Sequence, residues 1–380
     1  MKIDTSSPIE QHSTWIAANP VVGCPKGCEY CFLRPSKLTQ IKPEELWSAE
    51  SAISELLSSN LYSPGIPVAI GTRTDMFATP ANLAYLREFI ERWNSLSIPN
   101  TLVMITKCKV PDDTVELMQS CQSTGSSFVV FLSYSGLNNS IEKGINHVQL
   151  KENFSRLHAA GIPVIHYWRP FTPQNSTMEA MMSVLETVNS HASSSMIAGL
   201  KMTRAMVEQF GFWPEIQKLD IDPSQYESVY TQEALDNMER LKLSYPDHTM
   251  YYASSCSISH TQGIPEFNGV WGTEVCKKAS CPVHQREICD KFHKHRQVND
   301  ADITEALNKH GINASYTIEA SEDGVNRLVI DTDIDDATIF NLSQRLRMIV
   351  IAKQISVSDY GWGSQVYKET LVIKSQTDEQ

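Results

Sequence analysis

No apolar run in this chain approaches the ~20 residues that span a bilayer, so a membrane protein is not expected. The residues from Met1 to Trp15 are polar and carry no apolar stretch of the signal-peptide kind, which makes the cytoplasm the expected address. No internal repeat and no low-complexity tract is present. Neither a G-x4-G-K-[ST] phosphate loop nor a G-x-S-x-G nucleophile elbow occurs. Positive charge is scarce: 32 Lys and Arg stand against 44 Asp and Glu, a net charge of −12. Such a chain has no overall field that attracts phosphates, and nucleic acid would need a local basic groove. What remains is ample for a core, with 41% hydrophobic and 20% charged residues. At 380 residues the chain accommodates one large domain of α/β-barrel size and one or two small modules.

The nine cysteines carry the next inference. An odd count in a reducing compartment argues against a disulfide framework and for metal ligands, nucleophiles or buried thiols. Cys24, Cys28 and Cys31 form one group, and Cys256, Cys276, Cys281 and Cys289 form a second. Cys108 and Cys121 stand alone.

Between the two groups, short apolar runs alternate with amphipathic stretches. Ile66–Ile70, Thr101–Thr106, Ser127–Leu132, Ile162–Tyr167 and Met196–Leu200 read as buried parallel strands, with a further strand around Trp15–Val22. Pro43–Ser58, Ala81–Ser95, Asp113–Cys121, Val148–Ala160 and Thr177–Ser190 read as the helices between them. About six βα units imply an α/β fold, a partial (β/α)6 TIM-type barrel with its helices outside. Residues 203–255 read as mainly helical, ending in the apolar Met250–Ala253. Beyond residue 297 the texture changes to a small α/β module: helices at Asp302–His310 and Asp336–Arg347, strands at Ser315–Glu319, Arg327–Ile330, Gln354–Ser358 and Thr370–Ile373. The expected organisation is an extension (1–13), a core (14–255), a cysteine-rich segment (256–296) and the C-terminal module (297–380).

The first group has the spacing C-x3-C-x2-C, with Tyr30 just before the third cysteine. Three thiolates on a short loop hold three corners of a [4Fe–4S] cube and leave the fourth iron open to a small molecule. A zinc knuckle with His12 as fourth ligand is the competing reading.

This motif resembles the signature of the radical S-adenosylmethionine (SAM) superfamily. The resemblance implies that Cys24, Cys28 and Cys31 ligate the cluster. It implies that SAM chelates the open iron and is reductively cleaved to a 5′-deoxyadenosyl radical, which abstracts a substrate hydrogen. An electron donor such as flavodoxin or ferredoxin is the implied partner. Asn19–Cys24, Gly71-Thr72-Arg73-Thr74-Asp75, Ile105-Thr106-Lys107 and Ala159–Val164 occur in the order of landmarks in proteins similar to spore photoproduct lyase. By that likeness Tyr30 meets the adenine through its backbone, while Gly71, Thr72 and Thr74 lie at the methionyl amino group. Asp75 reaches the same group or caps a turn. Ser133 contacts ribose or carboxylate, and Lys151 pairs with the SAM carboxylate or is a surface lysine. His166, Tyr167 and Arg169 close the fifth strand. There His166 and Arg169 are expected at the substrate, Arg169 against a carboxylate or phosphate unless it makes a structural ion pair. Cys108, Tyr134 and Tyr167 are candidate hydrogen donors, or else packed core residues.

The second group suggests a second metal site: an auxiliary iron–sulfur cluster, a zinc site with His260 or His284 replacing a thiolate, or unligated thiols. The surrounding segment (His284, Arg286, Lys291, His293, Lys294, His295, Arg296) is locally basic and either steers an anionic substrate or is solvated. The expected substrate is a small metabolite or a peptide. A DNA lesion is the alternative, disfavoured by the acidic balance, and a non-enzymatic zinc-bound binding module is the reading from another class.

Overall fold

Seven of the apolar runs pair side by side in parallel, in the order in which they occur in the chain. The computed structural model describes residues 5–202, 206, 213–218, 227–272, 274–295, 298–320, 326–352, 355–356 and 370–373. Its main sheet contains β1 (Ile9–Gln11), β2 (Ile16–Ala18), β3 (Val68–Ile70), β4 (Leu102–Thr106), β5 (Phe128–Leu132), β6 (Val164–Trp168), β7 (Ser194–Ile197) and β8 (Met250–Tyr251). β1 is antiparallel to β2, and every other pairing is parallel. The register runs Ile16–Val68, Val68–Leu102 and Leu102–Phe128, so equivalent positions share a face.

The crossovers are α1 (Ala49–Ser58), α2 (Pro80–Ser95), α3 (Asp112–Ser123), α4 (His147–Ala159), α5 (Met178–Val188) and α6 (Gln232–Ser244). Strand order that follows chain order keeps such right-handed connections on one face. Five of these helices start on a hydroxyl or amide cap: Ser48, Thr79, Asn146, Thr177 and Thr231 each accept a bond from the backbone N–H three residues on. Side chains alternate across the strands. Val68, Ile70, Leu102, Met104, Val130, Leu132, Val164 and Trp168 pack into the core that includes the helices. Ala17, Ala69, Val103, Phe131, Ile165, Tyr167 and Met196 point the other way and pack with Ile258 of α7 (Ser254–Gln262) and with Phe267. Both faces are therefore covered, which is why the strands read as continuous apolar runs rather than alternating ones.

The described structure is a mixed α/β fold around an open parallel sheet, with β1 and β8 at its edges. It corrects the sequence reading in four places. The run around Trp15–Val22 is two strands, because Val21–Val22 leaves the sheet to pair with Glu44–Glu45. The run Met196–Leu200 also divides, with Leu200–Met202 turning back against Glu227–Thr231. The region 203–255, expected to be helical, contains that strand and contributes β8 as a seventh parallel strand; its remaining stretches lie partly outside the described residues. Thr370–Ile373 does not join the C-terminal sheet but pairs in parallel with Glu227–Thr231.

The cysteine-rich segment continues as α8 (Glu274–Lys278) and α9 (Val283–His295). The C-terminal residues form α10 (Asp300–Lys309), α11 (Asp336–Leu346) and a sheet of Tyr316–Ala320, Asn326–Ile330, Ile349–Ala352 and Ile355–Ser356. The rest of the expected strand Gln354–Ser358 lies outside the described residues, as do Arg296 and the His295 side chain. Helix α11 is tied to the main sheet by side-chain amides: Asn341 Nδ2 donates to Gln11 Oε1 at 2.8 Å and Gln344 Nε2 to the Ser13 carbonyl at 3.0 Å. Among the described residues no helix is long and apolar enough to cross a membrane.

A buried polar chain crosses the sheet beneath its helices. His166 Nδ1 is 2.8 Å from Ser195 Oγ, which is 2.7 Å from His248 Nε2. Burial pushes His166 down to about 3 and His248 down to about 4. Both are neutral when folded and bind protons more readily when unfolded, with an ordinary value of about 6.5. Stability from these groups is therefore complete above pH 6.5 and is lost as the pH falls toward 4 and then 3, by up to about 1.4 kcal/mol per pH unit for each. Thermal melts between pH 7 and pH 4 should show this fall, and His166→Leu should make it shallower.

Candidate active site at the carboxyl edge of the sheet

The loops that leave the carboxyl ends of β2 to β7 meet at one edge, where ligands of parallel α/β sheets bind. The cysteine loop is the largest. Gly27–Cys28 pairs in antiparallel fashion with Glu142–Lys143, setting Cys28 opposite Glu142. The N–H of Cys24 donates to the Leu38 carbonyl at 2.8 Å, and the Ile41 N–H donates to the Cys24 carbonyl at 3.2 Å. The Cys31 N–H donates to the Cys28 carbonyl at 3.1 Å, closing a tight turn between those two thiols.

The three thiols feel one another's charge. Burial pushes Cys24 up to about 12, assisted by Asp75 and Cys31. Burial also raises Cys28, and Cys31 and Cys24 add to the shift while the Lys107 ammonium opposes it. Cys31 is raised by burial. Thiols in this state ionise when a metal displaces their protons. Three thiols on one short loop are the donor set that an iron–sulfur cluster takes. Among the described residues no group of three or more His, Cys, Asp or Glu side chains is placed to hold a metal ion. His12, the candidate fourth zinc ligand, is paired with Glu10 at 2.8 Å instead.

Behind this loop lies a buried charge cluster that the sequence did not reveal. Glu142, fully buried, receives the Lys107 ammonium at 2.8 Å, the Ser135 hydroxyl at 2.9 Å and the Tyr30 hydroxyl, all on Oε1. Lys107 also donates to the Ser133 carbonyl at 2.9 Å. Glu142 Oε2 is buried without a hydrogen-bond partner, with His147 Nε2 3.6 Å away. Burial together with Glu142 raises the Tyr30 phenol far above its usual range. Only the cross-strand register of Cys28 and Glu142 brings these groups together, so no local spacing signals it. Lys107 was visible only as part of Ile105-Thr106-Lys107.

The turn after β3 is tied to the same loop. The Gly23 N–H donates to the Arg73 carbonyl at 3.2 Å, Thr74 Oγ1 donates to the Gly23 carbonyl, and Thr72 Oγ1 donates to Asn19 Oδ1 at 3.0 Å. Asp75 accepts from the Phe77 N–H at 3.0 Å, from Thr106 Oγ1 at 2.8 Å and from the Lys107 N–H at 2.9 Å. These side chains thus organise the turn beside the cysteines. Gly71 adopts φ +72°, and a Cβ there would fall 2.4 Å from Met76 Cγ. Gly71→Ala is expected to cost about 1–3 kcal/mol and to loosen the turn; a lowered melting temperature together with weaker SAM binding would report both effects.

Other expected site residues fall in different places. Cys108 is buried, and its thiol is raised by burial and by the nearby Asp75 carboxylate. Ser133 and Tyr134 are buried, and the Tyr134 carbonyl accepts from His166 Nε2 at 2.8 Å. Tyr167 lies on the α7 side of the sheet, edge-on to Phe131, with the Arg169 guanidinium 4.0 Å above its ring. The Arg169 charge acts on both Cys31 and Lys201. Lys201 is pushed down to about 8 by desolvation and by Arg169, although its side chain is exposed. His166, placed at the substrate, is fully buried on the helix side of the sheet among Phe154 and Trp168. Lys151 is exposed on α4.

No family model matches the chain. No curated protein sequence matches it either. The fold is similar to the solved structure of spore photoproduct lyase complexed with dinucleoside spore photoproduct, at 14% identity and a TM-score of 0.49, covering 66% of this chain and 79% of that one. It is also similar to SuiB of Streptococcus suis bound to S-adenosylmethionine, at 14% identity and a TM-score of 0.41, over 60% of this chain and 46% of that one. Both are radical SAM enzymes. A third structure, SuiB bound to precursor peptide SuiA, aligns at 15% identity and a TM-score of 0.38, over 48% of this chain and 38% of that one.

Proposed function

We propose that this chain is a radical SAM enzyme, built on a partial (β/α) barrel, that acts on a small metabolite or a peptide. The observation that carries this reading is the C-x3-C-x2-C loop, clamped at the carboxyl edge of the parallel sheet with its three thiols in electrostatic contact. The residues fit the group: Cys24, Cys28 and Cys31 would hold a [4Fe–4S] cluster by three corners. When bound and reduced, such a cluster supplies the electron that splits the sulfonium C–S bond of SAM and yields a 5′-deoxyadenosyl radical.

The chain's own residues contribute position and charge. Lys107 places a cation beside Cys28 and favours its thiolate. Thr72 and Thr74 hold the β3 turn against Asn19 and Gly23 ahead of the cysteines, Asp75 ties it to the end of β4, and Gly71 allows the turn its left-handed backbone. The unpartnered Oε2 of Glu142 is an acceptor suited to the ammonium of bound SAM. Arg169 and Lys201 make the rim cationic, which suits a substrate bearing a carboxylate or phosphate. Among the candidate hydrogen donors, Cys108 carries a neutral thiol, the form that can give up a hydrogen atom. A flavodoxin or ferredoxin would deliver the electron.

SAM binding tests this reading. Adding SAM to the anaerobically reconstituted, dithionite-reduced protein should change the electron paramagnetic resonance spectrum of the cluster. A spectrum indifferent to saturating SAM would exclude the open-iron site. The duplex-DNA alternative is tested by a salt series with lesion-bearing DNA; a −12 chain is expected to show no affinity that rises as salt falls.

A further inference from the structure

The four downstream cysteines lie outside the site just described, and all of them line one cavity of about 480 Å³. Cys256 sits in the first turn of α7, Cys276 in α8, Cys281 in the link between α8 and α9, and Cys289 in α9. Tyr251, Val270, Trp271 and Ala279 supply much of the remaining wall. Residues up to 33 positions apart in sequence thus surround one space, as 289 − 256 counts it.

Donors aim at the sulfurs of this cavity. The Tyr251 hydroxyl donates to Cys281 Sγ at 3.4 Å, and Arg286 lines the same cavity. Cys289 Sγ receives the Glu266 N–H at 3.4 Å and Gln285 Nε2 at 3.6 Å. A neutral thiol is a weak acceptor, whereas cluster-bound sulfurs are tuned by such hydrogen bonds. All four thiols face this one space. His260 and His284, the histidines that a mixed zinc site would use, face each other with ring centres 5.6 Å apart and do not line the cavity. Glu266 does line it, but its carboxylate is committed to the N–H groups of Asn268 at 2.6 Å, Gly269 at 2.9 Å and Val270 at 3.1 Å.

We infer that this cavity holds a second [4Fe–4S] cluster, ligated by Cys256, Cys276, Cys281 and Cys289. The inference stands apart from the chemistry of the first site. The decisive protein is the full chain with Cys24, Cys28 and Cys31 all replaced by Ala, reconstituted anaerobically with iron and sulfide. It should keep ~4 iron and ~4 sulfide per chain, and adding Cys281→Ser and Cys289→Ser should bring both to ~0. One zinc and no iron in the triple variant, or no metal at all, would overturn the inference. Should the triple variant fail to fold, the unaltered chain decides: ~8 iron supports two clusters and ~4 overturns the second. Tyr251→Phe should leave the iron count unchanged and move the potential of the second centre to a more negative value, since a donor to a ligating sulfur is lost. An unchanged potential would remove Cys281 from the ligand set.

Discussion

Cys28→Ala is expected to remove ~4 iron per chain from the anaerobically reconstituted protein and to abolish release of 5′-deoxyadenosine from SAM. Cys28 is the most enclosed of the three thiols: it is buried while Cys24 and Cys31 are only partly so. Its backbone is paired with Glu142, and the Lys107 charge acts directly on it. Alanine preserves the cross-strand pairing, so the loop keeps its path while the central thiolate is gone. A group of residues that acts as a unit loses its function when one member goes, so Cys24→Ala and Cys31→Ala should each match this loss, and combining them should add little. Persistent SAM cleavage in Cys28→Ala would remove the cluster assignment.

Lys107→Met is expected to be the most damaging single change that leaves every cysteine in place. Glu142 is fully buried, and Lys107 is the cation bonded to it at 2.8 Å. Removing one member of a buried pair leaves an uncompensated charge and costs about 3–5 kcal/mol. That corresponds to a drop of roughly 4–6 °C in melting temperature for a chain of this size. His147, 3.6 Å from Glu142 Oε2, is the nearest group that could take up a proton in response. Glu142→Gln retains an acceptor for Tyr30 and Ser135 and removes the charge, so the double variant should recover much of the loss. A double-mutant cycle read by thermal melts checks this. A Lys107→Met chain that melts within 1 °C of the parent (~0.8 kcal/mol or less) would show that the pair does not stabilise the loop.

The legibility of this fold follows from which signals are local. Val164–Trp168 and Leu102–Thr106 could be read as strands because both their faces are buried, which makes the whole run apolar. The helices could be read from their buried stripes; on α4 these are Leu150, Phe154 and Leu157. Lys151 lies off that stripe by the helical period, which explains its exposure. His166 was misplaced for a similar reason. Three donors at one strand end cannot all face the same side, since alternate residues point to opposite faces. Tyr167 shares a face with Ile165 and Met196, and His166 is thereby turned toward the helices. The cysteine spacing was legible because all three ligands lie on one short loop. Glu142 was not, because only the pairing of residues 27–28 with 142–143 brings it to that loop. The seventh strand was obscured because β8 is only two residues long and follows an insertion of unlike texture.

The most direct test of the central claim is product analysis of the unaltered chain, reconstituted under anaerobic conditions and supplied with dithionite and SAM. The account predicts 5′-deoxyadenosine and methionine in equal amounts, formed only when both reductant and SAM are present, and none from the chain lacking Cys24, Cys28 and Cys31. A chain that carries its full iron yet leaves SAM intact under these conditions would contradict it.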